Sequence, residues 1–215
     1  MTNKRILLVL VLTVLAVGLG AATRGQLMRR HTQPAFTLVS RVTHFNPSDP
    51  SQQLHGEETC YVFSDGSYRV VFDGEPDAKG VAPQREYFFK YGAGFFEVDF
   101  KKKQLVRDTR MSPNARGHAP ATAEALRSDS QFIRTETLLG MTAYVMRITD
   151  EQTGQPTTDL FYAVETGNNP IKTIDYGRNG IVVTIVEPLT IVFGEPHSSL
   201  RDTPDYPIVE EKKKQ

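Results

Sequence analysis

Residues 85–100 read REYFFKYGAGFFEVDF, two alternating segments on either side of a glycine-containing turn. Apolar residues recur at every second position of both segments. These residues are Tyr87, Phe89 and Tyr91 in the first segment, and Phe96, Val98 and Phe100 in the second. Because successive side chains of a strand point to opposite faces, the pattern predicts an antiparallel hairpin in which each strand has one apolar face.

Alternation of this kind continues on both sides of the hairpin, from Phe36 to Phe193, with turn residues at intervals of about 8–12 positions. It is typical of an antiparallel all-β domain, and we expect about ten strands. Residues 46–56 contain two prolines and are predicted to form a loop. Residues 121–128 are the one helical candidate in the domain.

The N-terminus has the composition of an export or anchor segment. Lys4 and Arg5 precede an uncharged run over residues 6–23, which ends in small residues. One interpretation is a signal peptide cleaved after Ala22, and the other is a retained helix anchored in the inner membrane, since 18 residues span ~27 Å. Both interpretations place the rest of the chain outside the cytoplasm, in the periplasm or another extracytoplasmic compartment.

The chain is therefore predicted to have four parts. Residues 1–23 are the signal peptide or signal anchor, and residues 24–34 are a polar, basic linker. Residues 35–206 form the β domain, described here as a curved antiparallel sheet or half-open β-barrel with one short helix. Residues 207–215, which end in a run of charged residues, are predicted to be a disordered tail.

Charge and cysteine content exclude several classes of protein. Lys plus Arg and Asp plus Glu both number 25, so the formal net charge is zero, which argues against a nucleic-acid partner bound through bulk positive charge. The single cysteine, Cys60, excludes an intramolecular disulfide framework and a multi-thiolate zinc site. We expect Cys60 to be a half-buried, inert thiol, with intermolecular pairing as the alternative.

Motifs for catalysis, cofactors and metals are missing from the sequence. It has no G-x-S-x-G elbow, no phosphate-binding P-loop and no H-E-x-x-H pair. We therefore predict no catalytic residue, no cofactor and no metal site, and interpret His55 beside Glu57 and Glu58 as part of a solvated loop. An unknown hydrolase, assembled from His44, His55 and His118 on distant loops, is the enzyme alternative.

Three short motifs carry a resemblance to a known family. They are LGMTAY at 139–144, DLFY at 159–162 and NPIK at 169–172. Over about residues 36–206 the chain resembles the bacterial LolA/LolB-like group of lipoprotein-sorting proteins. The resemblance implies a half-open β-barrel with helices in its mouth and an apolar cavity that carries acyl chains. A lid-locking arginine of that family could correspond to Arg41, Arg69 or Arg147.

These observations predict an exported, noncatalytic protein that binds or carries a hydrophobic ligand, either a lipid or an acylated peptide. The six apolar residues of the 85–100 hairpin are its predicted lining, and movement of residues 111–130 would admit the ligand. The alternative is a membrane-tethered structural or interaction module with a solid β core. Lys101–Lys103 beside Phe100 is interpreted as a solvated turn, with contact to anionic headgroups as its alternative.

Overall fold

The computed structural model of the protein describes residues 33–75, 82, 84–90, 92–109, 122–167 and 169–210. Within them the chain is mainly β. The strands are β1 Phe36–Asn46, β2 Asp49–Val62, β3 Tyr68–Gly74, β4 Gln84–Lys90, β5 Gly94–Asp99, β6 Gln104–Asp108, β7 Phe132–Leu138, β8 Met141–Thr149, β9 Pro156–Ala163, β10 Pro170–Tyr176, β11 Val182–Phe193 and β12 Ile208–Glu210. The described helices are one α-helix, α1 Ala123–Ser128, and 3₁₀ helices at Val164–Thr166 and Ser198–Arg201.

The strands form one 12-stranded sheet in the order β12-β6-β5-β4-β3-β2-β1-β11-β10-β9-β8-β7. Its two ends, β12 and β7, are not paired with each other, so the sheet is open. Neighbours such as β4 and β5 pair antiparallel, whereas β12 pairs parallel with β6. The predicted mainly β, antiparallel class with one short helix is confirmed, and the half-barrel shape stays a prediction.

The described chain divides into two compact units. Unit 1 contains residues 43–53 and the described part of 117–188, and unit 2 contains residues 33–42, 189–210 and the described part of 54–116.

Unit 1 is built around the β7–β10 meander. Val145 and Phe161 are opposite each other on β8 and β9, and both are fully buried. Helix α1 begins after Thr122, whose hydroxyl accepts a hydrogen bond from the Ala125 amide at 3.1 Å. The guanidinium of Arg127, in the last turn, lies 5.6 Å from the Tyr144 ring centroid. A cap and one stacked arginine therefore hold a helix that buries no residue of its own.

Unit 2 is built around β2–β6. The predicted hairpin turns are present at Gly66 and Gly92, where φ is +89° and +81°. Glycine fits both positions because it adopts a positive φ without a Cβ penalty. These tight turns keep the consecutive strands antiparallel, so apolar residues of neighbouring strands meet side by side on each face of the sheet.

Two predicted irregular regions contain strands instead. Strand β2 begins at Asp49, within the predicted loop 46–56, and the Asn46 amide donates to the Gln52 side chain at 3.0 Å. Pro50 is the second residue of this strand, and proline is tolerated near a strand start. Strand β12 lies within the predicted tail 207–215, and that prediction is wrong for its three residues because pairing with β6 orders them.

The predicted export or anchor segment, 1–23, and most of the linker lie outside the described residues. Among the residues whose structure is described, none of the helices has the length and apolar character to span a bilayer.

Candidate functional site

The six predicted lining residues do not share one face. In the β4–β5 register, Tyr87 pairs with Glu97 and Phe89 pairs with Phe95. Paired residues point to the same face, so Phe96 and Val98 lie on the face opposite to Tyr87 and Phe89. These four residues therefore do not form one continuous surface, and a ligand-binding role of the six predicted residues stays a prediction.

Tyr87 and Phe89 belong to an aromatic face, defined here by Tyr68, Tyr87, Phe89 and Phe95. The rings of Tyr68 and Phe89 stack with centroids 5.3 Å apart, and those of Tyr87 and Phe95 stack at 5.8 Å. Phe89 and Phe95 connect these two stacks as a cross-strand pair. Offset aromatic stacking of this kind adds to the stabilisation from burial alone.

Phe96 and Val98 instead belong to a closed apolar cluster with Phe88 and Leu105, and all four side chains are buried. Tyr206, from the segment that leads into β12, packs against this cluster. Phe100 follows β5, and 36% of its surface is exposed. Tyr91 lies outside the described residues.

A carboxyl group shares the aromatic face. The β2–β3–β4 registers place Glu58 on the same side of the sheet as Tyr87. Burial disfavours the charged form and raises the pKa of Glu58 to about 7, although the residue keeps some exposed surface. Cys60, the next residue on this face, is a free, half-buried thiol whose pKa is raised by burial and by Glu58. A raised pKa disfavours the nucleophilic thiolate.

A cavity of about 300 Å³ lies in unit 2. It lies where the ends of β2, β3 and β4 meet the segment 198–203. Three of its lining residues are buried and aromatic, and we call them its floor: Phe63, Phe88 and Phe89. Phe88 also belongs to the closed cluster, on the face of β4 opposite to Phe89. Its rim is mainly polar and consists of Asp65, Ser67, Lys90, Ser198, Arg201, Asp202 and Thr203, with Tyr68 and Leu200 completing the lining. We call this site the hairpin cavity.

Arg201 fixes the segment that covers this cavity. Its guanidinium lies 4.6 Å from the Phe63 ring centroid and forms ion pairs with Glu195 and with Asp65, the latter at 3.6 Å. The 3₁₀ helix containing Arg201 is capped by His197, whose ring accepts from the Ser199 amide at 3.3 Å. The covering segment is therefore held by side chains at both ends of a short turn.

A second, open cleft of about 510 Å³ lies between β1, β2 and β3 in unit 2. Its side chains are polar, and the cross-strand pair Gly56 and Gly74 also lines it. The cleft is lined by Arg41, His55, Glu57, Asp73 and Glu75. Within the described ranges, no three or more His, Cys, Asp or Glu residues are grouped in a way that could hold a metal ion.

Unit 1 contains a buried carboxyl group, Asp175, which is 6% exposed. Its Oδ1 accepts from the Thr158 hydroxyl at 3.0 Å, and its Oδ2 has no hydrogen-bond partner among the described residues. Burial raises the pKa of Asp175 to about 6. Thr184 is the cross-strand neighbour of Asp175, and its hydroxyl oxygen lies 3.1 Å from the ring nitrogen Nδ1 of His44.

The three histidines of the enzyme alternative are not brought together by any described contact. His44 belongs to unit 1 and His55 to unit 2, while His118 lies outside the described residues.

The candidate arginines have separate surroundings. Arg147 binds both oxygens of fully buried Asp159 at 2.7 Å. Arg69 pairs with Glu86 at 2.7 Å, and Arg41 is exposed in the open cleft. The correspondence of a lid-locking arginine with any one of them stays a prediction.

Sequence reasoning missed most of the hairpin cavity. Of the predicted lining residues that the structure describes, Phe89 alone belongs to the cavity. Phe63 and Arg201 are 138 positions apart, and neither lies in a recognisable motif. Their cation–π contact has no signal in a single sequence, because it depends on how the C-terminal segment folds back over the sheet.

Comparisons with known proteins give low similarity. No protein-family model matches the sequence, and no curated protein matches it. Similar solved structures include an uncharacterised conserved protein from Thermus thermophilus, at 12% identity over 98% of this chain and 100% of that chain, with a TM-score of 0.47. A chain of the Pseudomonas aeruginosa MucA/MucB complex is 16% identical over 81% of this chain and 57% of its own length, with a TM-score of 0.48. A LolA superfamily protein from Nitrosomonas europaea is 13% identical over 80% of this chain and 91% of that chain, with a TM-score of 0.38. A LolA-like protein is thus among the similar structures, as the sequence resemblance predicted.

Proposed function

We propose that the protein is a noncatalytic binding protein that takes an apolar chain, from a lipid or an acylated peptide, into the hairpin cavity. The observation that supports this proposal is the combination of a buried aromatic floor with a polar rim in one cavity. Ligand sites of proteins commonly have this composition, in which apolar walls supply the affinity and a few polar groups fix the orientation.

The size of the cavity limits the ligand. At ~30 Å³ for each water molecule, about 300 Å³ is the volume of roughly ten waters. A chain of a few methylene groups fits this volume, and each buried methylene contributes about 0.8 kcal/mol. The hairpin cavity therefore suits the end of one acyl chain, with the polar part of the ligand at the rim beside Lys90.

The proposal changes the predicted lining. Phe89 is part of the cavity floor, and Tyr87 supports it from the same face of the sheet. Phe96 and Val98 are assigned to the packing of the closed cluster beneath Tyr206. The proposed lining therefore combines part of the predicted hairpin with the missed residues Phe63 and Leu200.

A second candidate function is a structural or interaction module with a solid core. It is favoured by the closed cluster of Phe88, Phe96, Val98 and Leu105, in which side chains of this chain already cover the apolar surface. This candidate predicts that a substitution that fills the hairpin cavity does not change the affinity for an apolar ligand.

A cavity-filling substitution separates the two candidates. Leu200 is half-buried and lines the cavity, whereas Leu54 is 67% exposed on β2 and does not line it. Titration of the full chain with a fluorescent fatty acid should show binding that L200W weakens at least about tenfold, or about 1.4 kcal/mol, and that L54W leaves unchanged.

Thermal melting of both variants provides the folding control. Equal affinity of the wild type, L200W and L54W would contradict binding in this cavity, and so would the absence of any binding to the wild type. In a destabilised L200W, the smaller substitution L200F takes its place in the same comparison.

A further inference from the structure

Two exposed apolar side chains lie at the end of β11. Val192 is 66% exposed and Phe193 is 49% exposed. The Phe193 ring packs edge-on against buried Phe36 at 6.3 Å, and the amide of the next residue, Gly194, donates to the Ala35 carbonyl at 2.9 Å. The strand end is thus held firmly against the start of β1, while its side chains face solvent.

The N-terminal part of the chain joins unit 2 close to these side chains. The Gln33 amide donates to the Ser64 carbonyl at 3.2 Å, and the Gln33 side chain donates to the Phe63 carbonyl at 3.2 Å. We call this region, formed by residues 33–36, 63–66 and 192–195, the Gln33 end. The 32 residues that precede Gln33 contain the uncharged run 6–23.

Few residues separate the uncharged run from unit 2 in the sequence. Residues 24–32 number nine, and at most ~3.5 Å each they reach about 30 Å. They include Arg24, Arg29 and Arg30 and no acidic residue, a composition that favours anionic headgroups. For a run retained in the bilayer, the Gln33 end is the part of unit 2 that comes first along the chain, where Gln33 is bonded to Ser64 and Phe63.

We propose that Val192 and Phe193 insert into the interfacial layer of the lipid bilayer and dock unit 2 with its Gln33 end on the membrane. Removal of the exposed apolar surface of both side chains from water gains free energy, and phenylalanine is among the residues that bury in the boundary between headgroups and acyl chains. The Gln33 end shares Phe63 and Asp65 with the hairpin cavity, but Val192 and Phe193 do not line that cavity, so substitutions at these two residues test the docking separately from the proposed ligand.

Phe100 provides the matched alternative. It follows β5 at the opposite end from Gly94, roughly 20 Å away along the strand, and precedes the Lys101–Lys103 turn. Docking through that cationic turn would bring Phe100 to the bilayer instead of Phe193.

The absence of tryptophan from the sequence makes a direct test available. F193W and F100W each introduce the only tryptophan of the full chain. Each variant is reconstituted into vesicles of phosphatidylcholine and phosphatidylglycerol with or without brominated acyl chains. The emission of F193W should shift to the blue and be lost in brominated vesicles, and that of F100W should do neither.

Equal emission of the two variants in brominated and unbrominated vesicles would overturn the proposal, because it would show tethering without insertion. Stronger quenching of F100W than of F193W would also overturn it, in favour of docking through the lysine turn. V192W replaces F193W should the latter fail to fold by circular dichroism.

Discussion

Asp175 in unit 1 is a buried carboxyl group with one unsatisfied oxygen. Its Oδ2 is buried without a hydrogen-bond partner among the described residues, and its pKa is raised to about 6 from the ordinary value of 3.8. The folded chain therefore holds a proton that the unfolded chain has lost between these two pH values. The stabilisation linked to this proton is fully present below pH 3.8 and is lost as the pH rises through about 6.

The substitution D175N removes this pH dependence while it keeps the shape of the side chain. When the pH is raised from about 4.5 to about 7.5, the free energy of unfolding of the wild type should fall relative to that of D175N by about 2 kcal/mol. Urea unfolding of both proteins at the two pH values measures the difference, and D205N, at an exposed position, is the control. An unchanged difference between D175N and the wild type would contradict a raised pKa at this carboxyl group.

The Arg147–Asp159 pair shows the opposite arrangement in the same unit. Asp159 is fully buried, yet it receives two hydrogen bonds from Arg147 and one from the Tyr176 hydroxyl at 2.9 Å. The carboxylate raises the pKa of Arg147. Both oxygens of the buried Asp159 carboxylate therefore accept hydrogen bonds, whereas Oδ2 of Asp175 has no donor among the described residues.

At the scale of elements, the β7–β8 hairpin contains a strained turn. Leu138 pairs with Met141, so Leu139 and Gly140 form a two-residue loop with φ of +50° and +77°. Two positive values define the type I′ turn, in which Asn-Gly is the favoured pair. Leucine at the first position has a left-handed conformational cost of about 1–2 kcal/mol.

Replacement of Leu139 by asparagine should therefore stabilise the protein. We expect L139N to raise the free energy of unfolding by about 1 kcal/mol, or the melting temperature by ~2–4 °C. L139A removes the same exposed leucine but keeps a side chain that disfavours positive φ, so it should give no increase. Differential scanning calorimetry measures the melting temperatures of both variants, and a higher melting temperature for L139A than for L139N would contradict the turn assignment.

The strands of the β4–β5 hairpin show how far alternation alone leads. The pattern in 85–100 predicted both strands and their turn, because burial and the two-residue period of a strand act locally. It could not give the cross-strand register, in which Tyr87 faces Glu97 rather than Phe96. The order of residues within one strand does not determine which residue of its partner lies opposite, so the predicted site was divided between two faces.

Two strands, the first half of β2 and β12, were predicted as irregular because they depend on their partner strands. The first half of β2 lacks apolar alternation, since residues 51–54 are exposed, and only its partners make it a strand. The three residues of β12 are too few to be recognised and depend on β6. Cavity residues such as Phe63 and Arg201 meet only because the C-terminal segment turns at Gly194 and folds back over the sheet.

For the protein as a whole, the sequence predicts the compartment and the class of protein more directly than it predicts the ligand. The uncharged run at 6–23 and the absence of catalytic motifs are properties of the sequence itself and predict an exported binding protein. The ligand depends on the volume and lining of a cavity, which arise from contacts among three strand ends and a C-terminal turn. Size, aromatic floor and polar rim together limit the proposed ligand to a short apolar chain with a polar end.

The most direct test of ligand binding is native mass spectrometry of the full chain purified in mild detergent, with lipid extraction from the same sample. We expect one lipid-sized mass adduct per chain in the wild type, strongly reduced in L200W and retained in L54W. A wild-type protein that carries no adduct and yields no lipid, or an adduct equally abundant in L200W, would contradict this expectation.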